Sequence, residues 1–186
     1  MYNTGGRKLP RRADIVPGMA EPFPNTQWGS RDSLLSRLAH PIAASKPGSW
    51  LIRTLTPADR AVLRRTNGKR TLLGPIGAPV ILLTTTGRKS GQPRTQPLLY
   101  VHDGDTLYVV GSNFGQAHHP AWTANLLANP AATVVIAGET IPVTATPVAD
   151  DAKDAIYQRF VEVTPAYAAY RERTTRDLRI FALTRA

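Results

Sequence analysis

Residues 79–112, "PVILLTTTGRKSGQPRTQPLLYVHDGDTLYVVGS", decide the fold. An apolar, β-branched run over 79–86 stops at a glycine turn, and a second run over 94–102 follows it. Pro97 lies inside that second run and predicts an edge or a bulge there. Asp103-Gly104-Asp105 is a hairpin turn, and a third strand is expected over 106–112. Working outward, "HPAWTANLLANP" at 119–130 reads as a short helix, with Pro120 near its start and Pro130 just past its end. Runs at 132–137 and 140–148 form a hairpin around Gly138-Glu139. An acid-led helix over 150–163 suits its own N-terminal dipole. A further helical segment follows Pro165 over 166–173, and 178–184 is the closing strand. About six mainly antiparallel strands with flanking helices predict an α+β fold built on a closed or half-closed barrel.

Upstream the pattern is different. Residues 1–29 are rich in proline and glycine and carry little periodicity, so little order is expected there. A short helix is expected after Ser30, stopping before Pro41. A clearer one follows in "TPADRAVLRRTNG", with Thr56 as N-cap, Pro57 at the first helical position and Gly68 past the end. This divides the chain into a basic, Pro-rich extension over 1–48 and a barrel domain over 49–186.

The composition bounds the function. The chain has 186 residues, 42% of them apolar, which suits one domain with a real core. No apolar run reaches the roughly 18 residues of a membrane-spanning helix. The first 19 residues are basic but lack the apolar stretch of a secretory leader. With no cysteine, disulfides, thiolate-bound metals and thiol catalysis are excluded, and a reducing cytoplasm is compatible. The net charge of +10 is uneven: 13 Lys/Arg against 4 Asp/Glu over 1–73, but 10 against 9 over 74–186. Such a front attracts nucleic acid, anionic lipid or an acidic ligand, and it also serves plain solubility.

Three clusters carry candidate chemistry. In the first turn, Arg88, Lys89 and Ser90 sit between two glycines, with Arg94 shortly after. Backbone N–H groups, positive charge and a hydroxyl suit a phosphate or carboxylate, while a solvated hairpin tip is the bland alternative. The spacing is not that of a Walker A loop or a dinucleotide fingerprint. The second cluster, "GSNFGQAHHPAW" at 111–122, is a loop feeding a helix start, a frequent place for polar ligand contacts. Its adjacent His118 and His119 do not make a metal site and read as an ordinary loop pair. Trp122 and Leu126 read as core. In the third, Tyr167 and Tyr170 share a helix face. They can cover a planar ligand and donate protons, or simply pack the barrel rim. Asp103 and Asp105 read as solvated turn residues, and Asp150, Asp151 and Asp154 as first-turn helix charges.

In order along the chain stand T-T-T-G-R-K-S-G, P-L-L-Y, D-G-D, G-S-N, P-A-W-x-x-N-L-x-A-N-P and P-x-Y-x-x-Y. Over about residues 50–184 this pattern closely resembles the deazaflavin-dependent nitroreductases, also described as F420-dependent quinone reductases. The resemblance implies a split β-barrel of the FMN-binding type and reduced coenzyme F420 as hydride donor. It implies that Arg88, Lys89, Ser90 and Arg94 hold the cofactor's phosphate and acidic tail. Thr95, Gln96, Pro97, Leu98, Leu99, Val110, Gly111, Ser112 and Asn113 would line the deazaflavin. So would Ala121, Trp122, Thr123, Ala124 and Asn125, with Tyr167 on the ring. Ser112, Tyr167 and Tyr170 would form the catalytic group beside a quinone or nitro acceptor. Thr164 stands where some members carry a further tyrosine, which leaves acceptor preference open. Two competing readings are an FMN enzyme on the same barrel and a non-catalytic basic module on anionic membrane or nucleic acid. No nucleic-acid recognition motif appears. The resemblance also implies a cytoplasmic protein, compatible with a homodimer and with contact of its basic front at the inner face of the plasma membrane.

Overall fold

The structure is a computed structural model that describes residues 79–186, residues 22–24 and isolated positions between 45 and 66. The helix expected after Ser30 lies outside the described residues. The one expected from Thr56 is described only at separate positions, where Thr66 closes a helical turn on the Val62 carbonyl.

Six strands form the barrel: β1 (Val80–Thr86), β2 (Pro93–Asp103), β3 (Thr106–Val110), β4 (Ala131–Ile136), β5 (Glu139–Pro147) and β6 (Ile180–Arg185). Three continuous α-helices accompany them among the described residues: α1 (Ala121–Ala128), α2 (Asp150–Val163) and α3 (Ala166–Glu172). The strands close in the order β1-β2-β3-β6-β5-β4, and every neighbouring pair is antiparallel. Strand β2 pairs with β1 over 93–99 and with β3 over 100–103, so among the described residues Pro97 sits where β2 has one strand neighbour, as its missing N–H allows. Strand β5 shows how the sequence specifies this. Ile141, Val143 and Ala145 are buried while the residues between them are exposed, the period of two that a sheet with one covered face requires.

The interior is filled by Ile81, Leu83, Tyr100, Leu107, Val109, Val134, Phe181 and Leu183, and α1 adds Trp122 and Leu126. Phe23 belongs to the same core at 1% exposure, and the Arg185 guanidinium lies 5.2 Å from its ring centroid. One point of the extension is therefore packed where the sequence promised little order. A second cluster covers the outer face: Val101 and Val110 meet Tyr157 and Phe160 of α2 and Tyr167 and Tyr170 of α3.

Two boundaries differ from expectation. The β4–β5 turn centres on Ala137-Gly138, one residue earlier than the sequence indicated. Both central residues have positive φ, +54° and +87°. That is the type I′ pattern whose twist matches the flanking strands. The register is set by the buried pair Val134 and Ile141, and a one-residue slip would turn those side chains outward. Strand β3 stops at Val110 rather than at residue 112. Beyond it the chain turns sharply, with positive φ at Asn113, Phe114 and Gly115. Gly115 has no alternative here, because a Cβ would lie 2.7 Å from the Tyr170 carbonyl oxygen. Asp103, read as a solvated turn residue, is exposed and also receives Arg159 of α2 at 2.8 Å, tying that hairpin to the helix.

Candidate active site

The first turn is built by its own backbone and then fastened to α1. Gly87 N–H donates to the Gln92 carbonyl at 2.9 Å, and Ser90 and Gly91 N–H both donate back to Gly87. Gly91 takes the left-handed conformation, φ +66°, that lets the chain reverse. Asn125, buried on α1, joins the turn to the barrel. Its Oδ1 accepts from Arg88 N–H at 3.1 Å, and its Nδ2 donates to the buried Thr85 hydroxyl at 3.0 Å. The backbone is thus held while the side chains of Arg88, Lys89 and Arg94 stay exposed. Among the described residues none of these three makes an ion pair.

A cavity of about 630 Å³ opens beside this turn. Arg88, Lys89, Ser90, Arg94, Thr95 and Gln96 line one side, and Ala121, Trp122 and Asn125 the other. The Gln96 side-chain nitrogen is buried and has no hydrogen-bond partner. An unpaired buried donor costs about 1–3 kcal/mol. A second cavity, about 680 Å³, shares Arg88 and Ala121 with the first. Asn113, His118, His119, Pro120, Ala124 and Arg179 complete its lining. The two adjoin at Arg88 and Ala121 as a groove region whose charged side chains are all cationic.

The chain matches the model of the F420H(2)-dependent quinone reductase family over residues 56–185. The chain belongs to this family. An F420H(2)-dependent quinone reductase of Mycobacterium tuberculosis is 37% identical over 130 residues, covering 67% of this chain and 86% of the relative. Among solved structures, an F420-H2 dependent reductase, FDR-A, matches with a TM-score of 0.52 and 34% identity, over 56% of this chain and 93% of its own. A structure described as a domain-swapped dimer matches with a TM-score of 0.55 and 30% identity, over 74% and 99%. Membership makes the protein an oxidoreductase of the F420-dependent class on a split β-barrel.

The other expected site residues of this quinone-reductase family member lie away from the groove wall. Ser112, Tyr167 and Tyr170 are neighbours, and all three are buried. Tyr167 is only 8% exposed, packed between Phe160 and Tyr170 with ring centroids 5.3 and 5.5 Å away. Burial drives its hydroxyl pKa well up, with Tyr170 and Tyr157 adding to the rise and a hydrogen bond to Ser112 opposing it. The Tyr157 hydroxyl, which donates to the Tyr167 carbonyl at 2.7 Å, is pushed up to about 12, again chiefly by burial. These hydroxyls therefore hold their protons at neutral pH. Ser112 is one residue from Asn113, which does line the groove. Pro97, Leu98, Leu99, Val110, Gly111 and Thr123 support the barrel and α1 rather than lining either cavity.

Sequence reasoning missed two arginines. Arg179 lines the second cavity and donates to Thr123 Oγ1 at 3.3 Å. Arg176 donates to the carbonyls of Gly111, Ser112 and Gln116 at 2.8, 2.6 and 2.9 Å. Both stand about sixty positions from the residues they bond, and no local pattern marks them.

Proposed function

We propose that this chain binds coenzyme F420 along the joined groove and reduces a quinone by hydride transfer. The observation that carries the reading is the cationic trio Arg88, Lys89 and Arg94 on one cavity wall, without an ion pair among the described residues. Three cations and the N–H groups of a glycine turn suit the cofactor's phosphate and acidic tail. When bound, the reduced cofactor supplies the hydride, two electrons with one proton, and the quinone takes one further proton to become a quinol. The protein's part is to hold the two within about 3–3.5 Å and to keep water from the reacting centre. Solvent delivers the second proton, while Ser112 and Tyr167 share a buried hydrogen bond that braces the chain next to Asn113.

A nitroaromatic is a second acceptor under this reading. The excess charge over residues 1–73 supports contact with anionic lipid, where quinones dissolve. The likeness to a domain-swapped dimer supports pairing of two chains.

Titration of the protein with F420, FMN and NADPH, followed by absorbance, tests the cofactor. Turnover with a short-chain naphthoquinone and a nitroimidazole tests the acceptor. Lys89→Ala is expected to weaken F420 binding about tenfold to a hundredfold, as loss of a charged contact does. Tight FMN binding with no response to F420 would overturn the reading.

A further inference from the structure

The loop from Gly111 to His119 hangs on Arg176. Besides its three carbonyl partners, the Arg176 Nη1 lies 3.0 Å from Nδ1 of His119. A guanidinium has only donors, so Nδ1 must carry the lone pair. The ring is then neutral, and its single proton sits on Nε2. His119 lines the second cavity beside Arg88 and Arg179.

We propose that His119 is a ligand-binding residue, a neutral Nε2–H donor to an oxygen of the bound cofactor, and that Arg176 is the positioning residue that fixes its tautomer. The inference rests on the reading of the groove as an F420 site. The chemical advantage is a donor without a charge. The wall already holds two guanidinium groups, and a third cation would repel them.

The surroundings keep the ring neutral. Burial lowers the His119 pKa, Arg179 and Arg176 lower it further, and Asp177 alone opposes them. Arg88 shares the cavity and adds the same positive sign. Protonation at Nδ1 would set N–H against N–H and break the bond to Arg176, loosening the loop. Since the folded-state pKa lies below the ordinary value of about 6.5, the unfolded chain binds the proton more readily. The stability this pair contributes is complete above that pH and is lost as pH falls toward the folded-state pKa.

The test uses the full chain labelled with 15N-histidine. Disappearance of one pair of ring signals in His119→Gln assigns the residue. Wild type should show a protonated Nε2 and a bare Nδ1 at pH 7, titrating below pH 6.5. Arg176→Met should let both tautomers appear. A protonated Nδ1 in wild type, or an unchanged single tautomer in Arg176→Met, would overturn the positioning role. F420 titration at constant pH then probes the donor. His119→Gln, whose amide N–H stands near the position of Nε2, should bind within about threefold of wild type, and His119→Phe about tenfold more weakly. Thermal melts confirm that each variant is folded. Equal binding by His119→Phe would overturn the role of His119 alone. Failure of wild type to bind F420 would overturn the site reading itself and the donor role with it.

Discussion

Asn125 shows how much one buried amide can decide. It accepts from the Arg88 backbone and donates to Thr85, so a helix residue fixes where a turn 37 positions earlier can go. Asn125→Ala leaves a backbone N–H and a buried hydroxyl unpaired. It is expected to lower stability by about 1–3 kcal/mol, read as a fall in the urea midpoint. F420 affinity should fall further than in a surface control of equal stability, because the cationic turn loses its anchor. An unchanged midpoint would show that water replaces both bonds without cost. Serine and glycine in the turn were legible as a turn by themselves. The role of Asn125 as its fastening was not, since nothing near position 125 refers to position 88.

Among the elements, the β4–β5 hairpin stores a correctable strain. Ala137 occupies left-handed backbone, where its Cβ crowds the carbonyl and asparagine is better tolerated. Ala137→Asn creates the Asn-Gly pair that type I′ turns favour, and should raise stability by about 1 kcal/mol. Thermal denaturation would check it, and a lower midpoint would contradict the turn assignment. The strands on either side were readable from their alternation. The exact turn was not, because Gly138 serves equally well at either central position and only the pairing of Val134 with Ile141 selects one. Helix α2 carries a similar lesson. Its acidic start was legible, and Asp150 does pair with Lys153 at 2.7 Å, but the bond from Lys153 on to Asp177 needs the folded chain.

At the scale of the whole molecule the barrel and its extension are one structure at Phe23. The ring is enclosed by the interior cluster and capped by the Arg185 guanidinium, whose Nη2 also donates to the Pro22 carbonyl at 3.3 Å. Phe23→Ala is expected to cost about 3 kcal/mol, as the loss of a buried aromatic does. Urea unfolding would measure it, and an unchanged midpoint would remove the ring from the barrel core. The same scale explains the groove: it exists because α1 crosses one end of a closed barrel, bringing Ala121 and Trp122 opposite the first hairpin turn.

The sequence by itself determined the six strands, the order of the helices and the cationic turn. These follow from side-chain alternation, proline and glycine geometry and local charge, all of which act over a few residues. Its motif order also pointed to the family. Tertiary structure alone decided which side chains share the groove, which tyrosines are buried, and that Arg176 holds His119. Those outcomes depend on barrel closure and on hydrogen bonds between residues far apart in the chain, and a local pattern holds no record of them.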